Sequence, residues 1–285
     1  MTVGPTTSTS LAGLIAVDFI SDIVLSALAE QTVLLPMVLY AGPEDQANSK
    51  VYSFPKIPKT GATGTIAETG EVSETQVDVA NLDVNYAEVA LAFSLTYSAQ
   101  ELTRIDMMSA LGNAAASDMG RYIDTQLAAN FSNLNSSQGT NTTDLTVAKV
   151  LAALATWEAA NGRGDPVLVL HANQLAGLRE DYITSSAPGT ATQFGGLTRT
   201  GEGGNAGSVY GIPVFRDNLC PANSNGYDGA LMSTGMNSPI AIKFWRLPLT
   251  EIDREIKNRK QVIVVSAAFG TGEVEDGNGV RVIST

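Results

Sequence analysis

Two of the residue types that carry most protein chemistry are almost missing from these 285 residues: there is one cysteine, Cys220, and one histidine, His171. A single cysteine excludes an internal disulfide framework and a thiolate metal site, and predicts an intracellular life or indifference to redox conditions. A single histidine excludes a two-histidine metal centre. Basic charge is also short. Lys and Arg total 17 against 29 Asp and Glu, a net charge of −12 with no basic run, which is the opposite of a protein that grips a phosphate backbone. No Gly-Lys pair is present to build a phosphate-cradling loop, and no Gly-x-Ser-x-Gly elbow to hold a serine nucleophile. The N-terminal "MTVGPTTSTS" lacks the positive region of a secretory signal, and the apolar stretch behind it is interrupted by Asp18, Asp22 and Glu30, so no transmembrane span is expected. The glycosylation sequons at Asn130, Asn135 and Asn141 therefore read as polar loop residues.

The remaining chemical candidates have plainer readings. His171 follows the apolar "VLVL" of residues 167–170 and precedes an apolar-periodic segment, which gives it a structural role at a helix start. Cys220, between Leu219 and Pro221 with no cation nearby, reads as a small packed side chain. Arg163-Gly164-Asp165 sits between a helix and Pro166, where Gly162 and Gly164 suit a tight reversal into a strand. "GEGGNAG" has Gly201, Gly203 and Ala206 at dinucleotide-fingerprint spacing, but a strand is expected after it instead of a helix. Glu251 with Asp253, and Glu275 with Asp276, read as solvated strand-edge residues. No catalysis, cofactor or metal is expected.

What is present is an uneven architecture in one chain long enough for two lobes. Residues 1–13 read as a mobile arm, followed by an amphipathic helix with Ile15, Phe19, Ile23 and Ala27 on one side. Residues 50–97 form a long hairpin-like excursion. Its middle is polar and Gly-rich, and its return alternates through Val84, Tyr86, then Val89, Leu91, Phe93, Leu95 and Tyr97. Such a segment has too little apolar content at its tip to fold into its own core. At Ser98 the period changes: Ser98 to Glu101 read as a capping box, and Leu102, Ile105, Met108, Ala115, Met119, Tyr122, Ile123 and Leu127 recur at helical spacing for about 30 residues, roughly 45 Å. Gly112 and residues 114–116 mark a close approach by a neighbour. A second helix carries Val147, Val150, Leu151, Leu154 and Trp157 on one face and stops at Asn161-Gly162. The strand 167–170 and a helix over 172–182 follow, then strands at 208–215 and 229–235. The last third is strand-rich, with a hairpin signal at Asp276-Gly277.

Three stretches carry a family resemblance. "IAETGEVSETQVDVANLDVNYAEVALAFSLTYSAQEL", "DPVLVLHANQLAGLRED" and "GSVYGIPVFRDNLCPA" followed by "GALMSTG" occur in the order seen in tailed-bacteriophage major capsid proteins of the Hong-Kong-ninety-seven type, and the sequence resembles that family over most of residues 50–270. The resemblance implies an α+β capsid fold: an N-terminal arm (1–50), an extended β-hairpin loop (51–96), a peripheral domain with a long spine helix (97–144), an axial domain (145–235), and peripheral strands to the C-terminus (236–285). It leaves the last strand, "GVRVIS", with either the peripheral strands or the axial sheet. It further implies hexamers and pentamers that tile an icosahedral shell around double-stranded DNA held without sequence-specific contacts. The acidic balance suits an inner wall that does not bind its contents. A separate scaffolding protein, or a cut already made, is expected, together with a portal, and localisation in the virion after assembly in the bacterial cytoplasm; whether cement proteins decorate the shell is left open. Lys56, Lys59, Glu68, Glu71 and Glu74, which flank the loop tip, are the candidates for contacts between subunits. An encapsulin-type compartment shell is the alternative within the fold. An adhesion protein using Arg163-Gly164-Asp165, or a hydrolase using His171, is the alternative outside it.

Overall fold

The computed structural model describes residues 32–43, 49–56, 80–102, 107–160, 162–184 and 205–285. Among these, three sheets and four helices are built around two main cores. A four-stranded sheet has the order β1 (Leu39–Ala41), β11 (Ile240–Glu255), β12 (Lys260–Glu273), β4 (Ala87–Thr96). A seven-stranded sheet runs β5 (Ser137–Gly139), β13 (Gly279–Ser284), β10 (Gly226–Ser233), β6 (Pro166–Leu170), β8 (Ile212–Arg216), β7 (Asn205–Val209), with β9 (Ala222–Asn223) paired to β10. A separate two-stranded hairpin joins β2 (Val51–Lys56) to β3 (Ala80–Asn85). The predicted apolar arm helix and the expected loop tip lie outside the described residues.

The expected alternation of β4 holds. Val89, Leu91, Phe93 and Leu95 turn toward the core, while the residues between them face solvent. The helical register then begins slightly earlier than the sequence signalled. Helix α1 spans Tyr97–Leu102, and the Ala99 N–H donates to Thr96 Oγ1 at 3.3 Å. Thr96 thus occupies the N-cap, two residues before Ser98, because its hydroxyl meets the third helical N–H.

Helix α2 (Met107–Ala129), continued by a 3-10 turn at Asn130–Asn133, buries Ala115, Ala116, Met119, Ile123 and Leu127 against β11 and β12. Gly112 is buried with them, whereas Ala114, the first residue of the small-residue run, is exposed. Tyr122 is not on that stripe: it is 42% exposed, with only its ring set against Phe269. Asn130 is likewise no loop residue. It is buried, and its amide donates to the carbonyls of Gln126 and Leu127 and to Thr271 Oγ1, closing the helix end onto β12.

Strand β6 explains its unbroken apolar sequence. Val167 and Val169 face the core shared with α2, whereas Leu168 and Leu170 face a second core under α3 (Val147–Ala159) and α4 (Ala172–Thr184). A strand covered on both faces needs apolar residues at every position. In α3, Val150, Ala153 and Trp157 are buried, and Leu151, expected on that face, is exposed. The helix stops as predicted at Gly162, whose N–H bonds back to the Trp157 carbonyl at 3.0 Å.

Two turns differ from their sequence signals. The single strand expected at 208–215 is a hairpin, because Tyr210 and Gly211 take φ of 51° and 81° and reverse the chain between β7 and β8. Asp276-Gly277 does not close a hairpin. It forms a 3-10 turn, Asp276–Asn278, between β12 of the four-stranded sheet and β13 of the seven-stranded one. The Asp276 carboxylate accepts the Asn135 backbone N–H at 2.8 Å and its side-chain amide at 2.9 Å, which holds this crossover in place. β13, "GVRVIS", therefore belongs to the sheet that contains β6.

Candidate functional site

The residues that first suggest chemistry are scattered and structurally occupied. His171 caps the start of α4: its Nδ1 accepts the Asn173 N–H at 3.2 Å, and its carbonyl accepts the Leu175 N–H. Its ring stacks on Tyr227 with centroids 3.5 Å apart and 9° between planes, and burial lowers its pKa. Cys220 is buried, and burial pushes its thiol well above the ordinary range, away from thiolate reactivity. Arg163, Gly164 and Asp165 are exposed in a turn where Gly164 takes φ +85° and the Arg163 N–H donates to Asn278 Oδ1 at 3.2 Å. After the Gly-rich loop comes strand β7, so no helix N-terminus follows to receive a pyrophosphate. Glu251 and Asp253 lie exposed along β11. Among the described residues no group of three or more His, Cys, Asp or Glu could hold a metal ion. No helix among them is long and apolar enough to cross a membrane.

What the fold does present is a strand pair outside its two main sheets. The antiparallel pair β2–β3 runs from Val51↔Asn85 to Lys56↔Ala80, leading toward the stretch that holds the candidate contact residues. Lys56 ends β2, and its side chain lies outside the described residues, as do Lys59, Glu68, Glu71 and Glu74 entirely. The hairpin root rests in a third, small core of Ala41, Phe54, Val84 and Ala241. Close by, a cavity of about 240 Å³ is lined by Asp83, Asn85, Tyr122, Gln126, Phe269 and Thr271.

A second exposed strand surface lies along β11 toward its turn into β12, which β4 flanks as far as Lys260. The base of β11 from Ile240 to Phe244 is buried, its tip carries Ile256 at 79% exposure, and Leu247 and Leu249 are exposed along the way. At the tip Arg259 takes a left-handed φ of 48° to turn the chain, and Lys260 pairs with Glu255 at 3.2 Å. Two register shifts, between Phe244 and Arg246 and between Arg246 and Leu249, bend β11 where Pro248 sits. Among the described residues, no side chain buries Leu247, Leu249 or Ile256.

Two buried charged groups that the sequence reading did not single out hold the body together. Asp124 of α2 is buried, and its carboxylate accepts the backbone N–H groups of Val33 and Leu34. Asp228 of β10 accepts from Arg281 at 2.6 Å, Ser132 at 3.0 Å and Asn223 at 3.1 Å. Lys243 is a third, in the apolar run "IAIKFW" of β11. A lone lysine inside such a run was the available sequence signal.

No protein-family profile and no curated protein sequence matches the chain. Solved structures do match. The capsid of Ralstonia phage GP4 aligns with a TM-score of 0.69 at 9% identity, over 89% of this chain and 91% of that one. The head structure of Helicobacter pylori bacteriophage KHP40 gives 0.64 at 12% identity, over 90% and 91%. A structure of Mycobacterium phage Che8 gives 0.64 at 15% identity, over 82% and 85%. At such identities the likeness is one of fold. The chain has the α+β fold of tailed-phage capsid proteins over most of its length.

Proposed function

We propose that this chain is a major capsid protein, which self-associates into hexamers and pentamers and tiles an icosahedral shell around packaged double-stranded DNA. The observation that carries this reading is the likeness of fold to phage capsid chains across about nine-tenths of both partners. A hairpin that joins neither main sheet, and the exposed apolar residues Leu247, Leu249 and Ile256 of the β11–β12 region, agree with it as surfaces for neighbouring copies.

In this reading the seven-stranded sheet with α3 and α4 is the axial domain, with β13 added to it, and α2 with β4, β11 and β12 is the peripheral domain. Lys56, Lys59, Glu68, Glu71 and Glu74 remain the proposed contacts between subunits. The net charge of −12 fits a container that does not bind nucleic acid tightly. A scaffolding protein, a portal and assembly inside a bacterial host belong to the same proposal, and the virion is the final location.

Light scattering of the purified chain, with negative-stain microscopy, tests the proposal. Capsomers or closed shells are expected. A stable monomer under all assembly conditions overturns it.

A further inference from the structure

The β2–β3 hairpin does not extend the edge of a sheet. It lies across the face of β11 and β12, and those two strands are cleared to receive it. A Cβ on Gly270 of β12 would stand 2.3 Å from the Asn85 carbonyl oxygen and 2.6 Å from Val84 Cγ1, and a Cβ on Gly272 would stand 3.0 Å from Leu82 Cδ2. Glycine weakens a strand interior, so two in alternate positions mark a place where another backbone approaches closely. Across the β11–β12 pair, Gly270 faces Lys243 and Gly272 faces Ala241, so all four positions share the side on which β3 sits.

Lys243 is 1% exposed. Its ammonium donates to the Gly42 carbonyl and stands 4.5 Å over the ring of Tyr52 in β2. Trp245, two residues on, donates from Nε1 to the Ser49 carbonyl at 3.0 Å and packs edge-on against Tyr86, with ring centroids 5.6 Å apart. It therefore touches the chain just before β2 and just after β3. The apolar contacts of this small core have no direction of their own. The seat formed by the glycines, the ammonium bond and the ring contact do have one, and a desolvated ammonium is retained in a core only where its partners are fixed.

We propose that Lys243, Gly270 and Gly272 are positioning residues that set the angle at which the hairpin leaves the body, and with it whether copies of the chain assemble in register. This rests on the capsid reading. No contact to another copy is assigned to these three residues, which act only through the hairpin.

The test uses Gly270→Ala, Gly272→Ala and Lys243→Met in the full chain. Hydrogen exchange in β2 and β3, compared with β4, β12 and α2, reports the seat, while particle yield and diameter report assembly. Gly270→Ala meets backbone and is expected to lose assembly. Gly272→Ala meets only the far ends of Leu82 and Val84 and is expected to lose less. Lys243→Met keeps the volume, loses the directed contacts, and is expected to give particles of mixed diameter. In each variant faster exchange is confined to β2 and β3. Unchanged yield and diameter in Gly272→Ala and Lys243→Met overturn the proposal, even if Gly270→Ala fails to fold. A wild-type chain that forms no particles overturns the capsid reading instead. In that case unchanged exchange of β2 and β3 in the variants overturns the seat separately.

Discussion

The Asp124 carboxylate on α2 accepts the Val33 backbone N–H at 2.7 Å, joining residues 91 positions apart in sequence. The Leu34 N–H reaches the same carboxylate at 3.3 Å. Burial pushes the Asp124 carboxyl up to about 7 from an ordinary 3.8; the backbone N–H groups of Val33, Leu34 and Leu35 oppose this and the nearby Asp217 charge adds to it. A carboxyl whose pKa rises on folding favours the folded state as the neutral acid. Its contribution is complete below about pH 4 and is lost as the pH climbs to about 7. Asp217, also raised by burial, acts with the same sign. Urea midpoints of the wild type should therefore fall across that window. Asp124→Asn should flatten the fall, and the double variant with Asp217→Asn should flatten it further. A variant that falls as steeply as wild type would contradict the assignment.

Asp228 joins β10 to β13 through Arg281 and collects Ser132 and Asn223 on its remaining lone pairs. Asp228→Ala strands a largely buried guanidinium and should cost about 3–5 kcal/mol. Chemical denaturation measures this. A cost under about 1 kcal/mol would mean the pair is solvated, as surface pairs are.

Gly162 lies against the Trp157 indole: a Cβ there would fall 2.1 Å from the ring. The indole in turn donates to Ser233 Oγ at 3.1 Å, so it has little freedom to move aside. Gly162→Ala should destabilise the chain by about 1–3 kcal/mol through overpacking. Thermal unfolding should show a lowered midpoint, whereas Gly211→Ala, where nothing lies within 4 Å of the new Cβ, is strained only by its φ of +81°.

His171→Ala should leave assembly intact. The loss of its stack on Tyr227 and of the acceptor for Asn173 should cost about 1 kcal/mol in stability. Because burial lowers the pKa of His171, its neutral ring contributes above about pH 6.5 and less as the pH falls. Particle yield equal to wild type, with a slightly lower melting point, is the expected pair of results. Abolished assembly with unchanged stability would give His171 a role beyond its own turn.

Local signals transferred well wherever neighbours in sequence are also neighbours in space. The stop at Gly162, the strand after Pro166 and the helix start at His171 each depend on bonds within a few residues, and each stands where the sequence put it. Signals that depend on a distant partner did less well. Asp276-Gly277 carries hairpin chemistry, yet the strand after it leaves for another sheet because Asn135 holds the turn. Tyr122 and Leu151 sit at the border of their apolar stripes, where period alone does not decide burial. Of the candidate site, the sequence marked the hairpin but not its root. The Gly-x-Gly of β12 and the lysine in β11 are readable as anomalies, but their purpose depends on a strand about 190 residues earlier in the chain.

By itself, then, the sequence determined the strand β4, the helix α3, the strand β6 and the start of α4, and its single Cys and single His excluded a thiolate or two-histidine metal site. Periodicity and composition are properties of contiguous residues, and they were enough for that. Only the tertiary structure decided that the two faces of "VLVL" serve different cores, that β13 lies inside the seven-stranded sheet between β5 and β10, and that Lys243 lies beneath the hairpin. Each of these depends on which surfaces meet after long loops close, and residue type does not encode that locally.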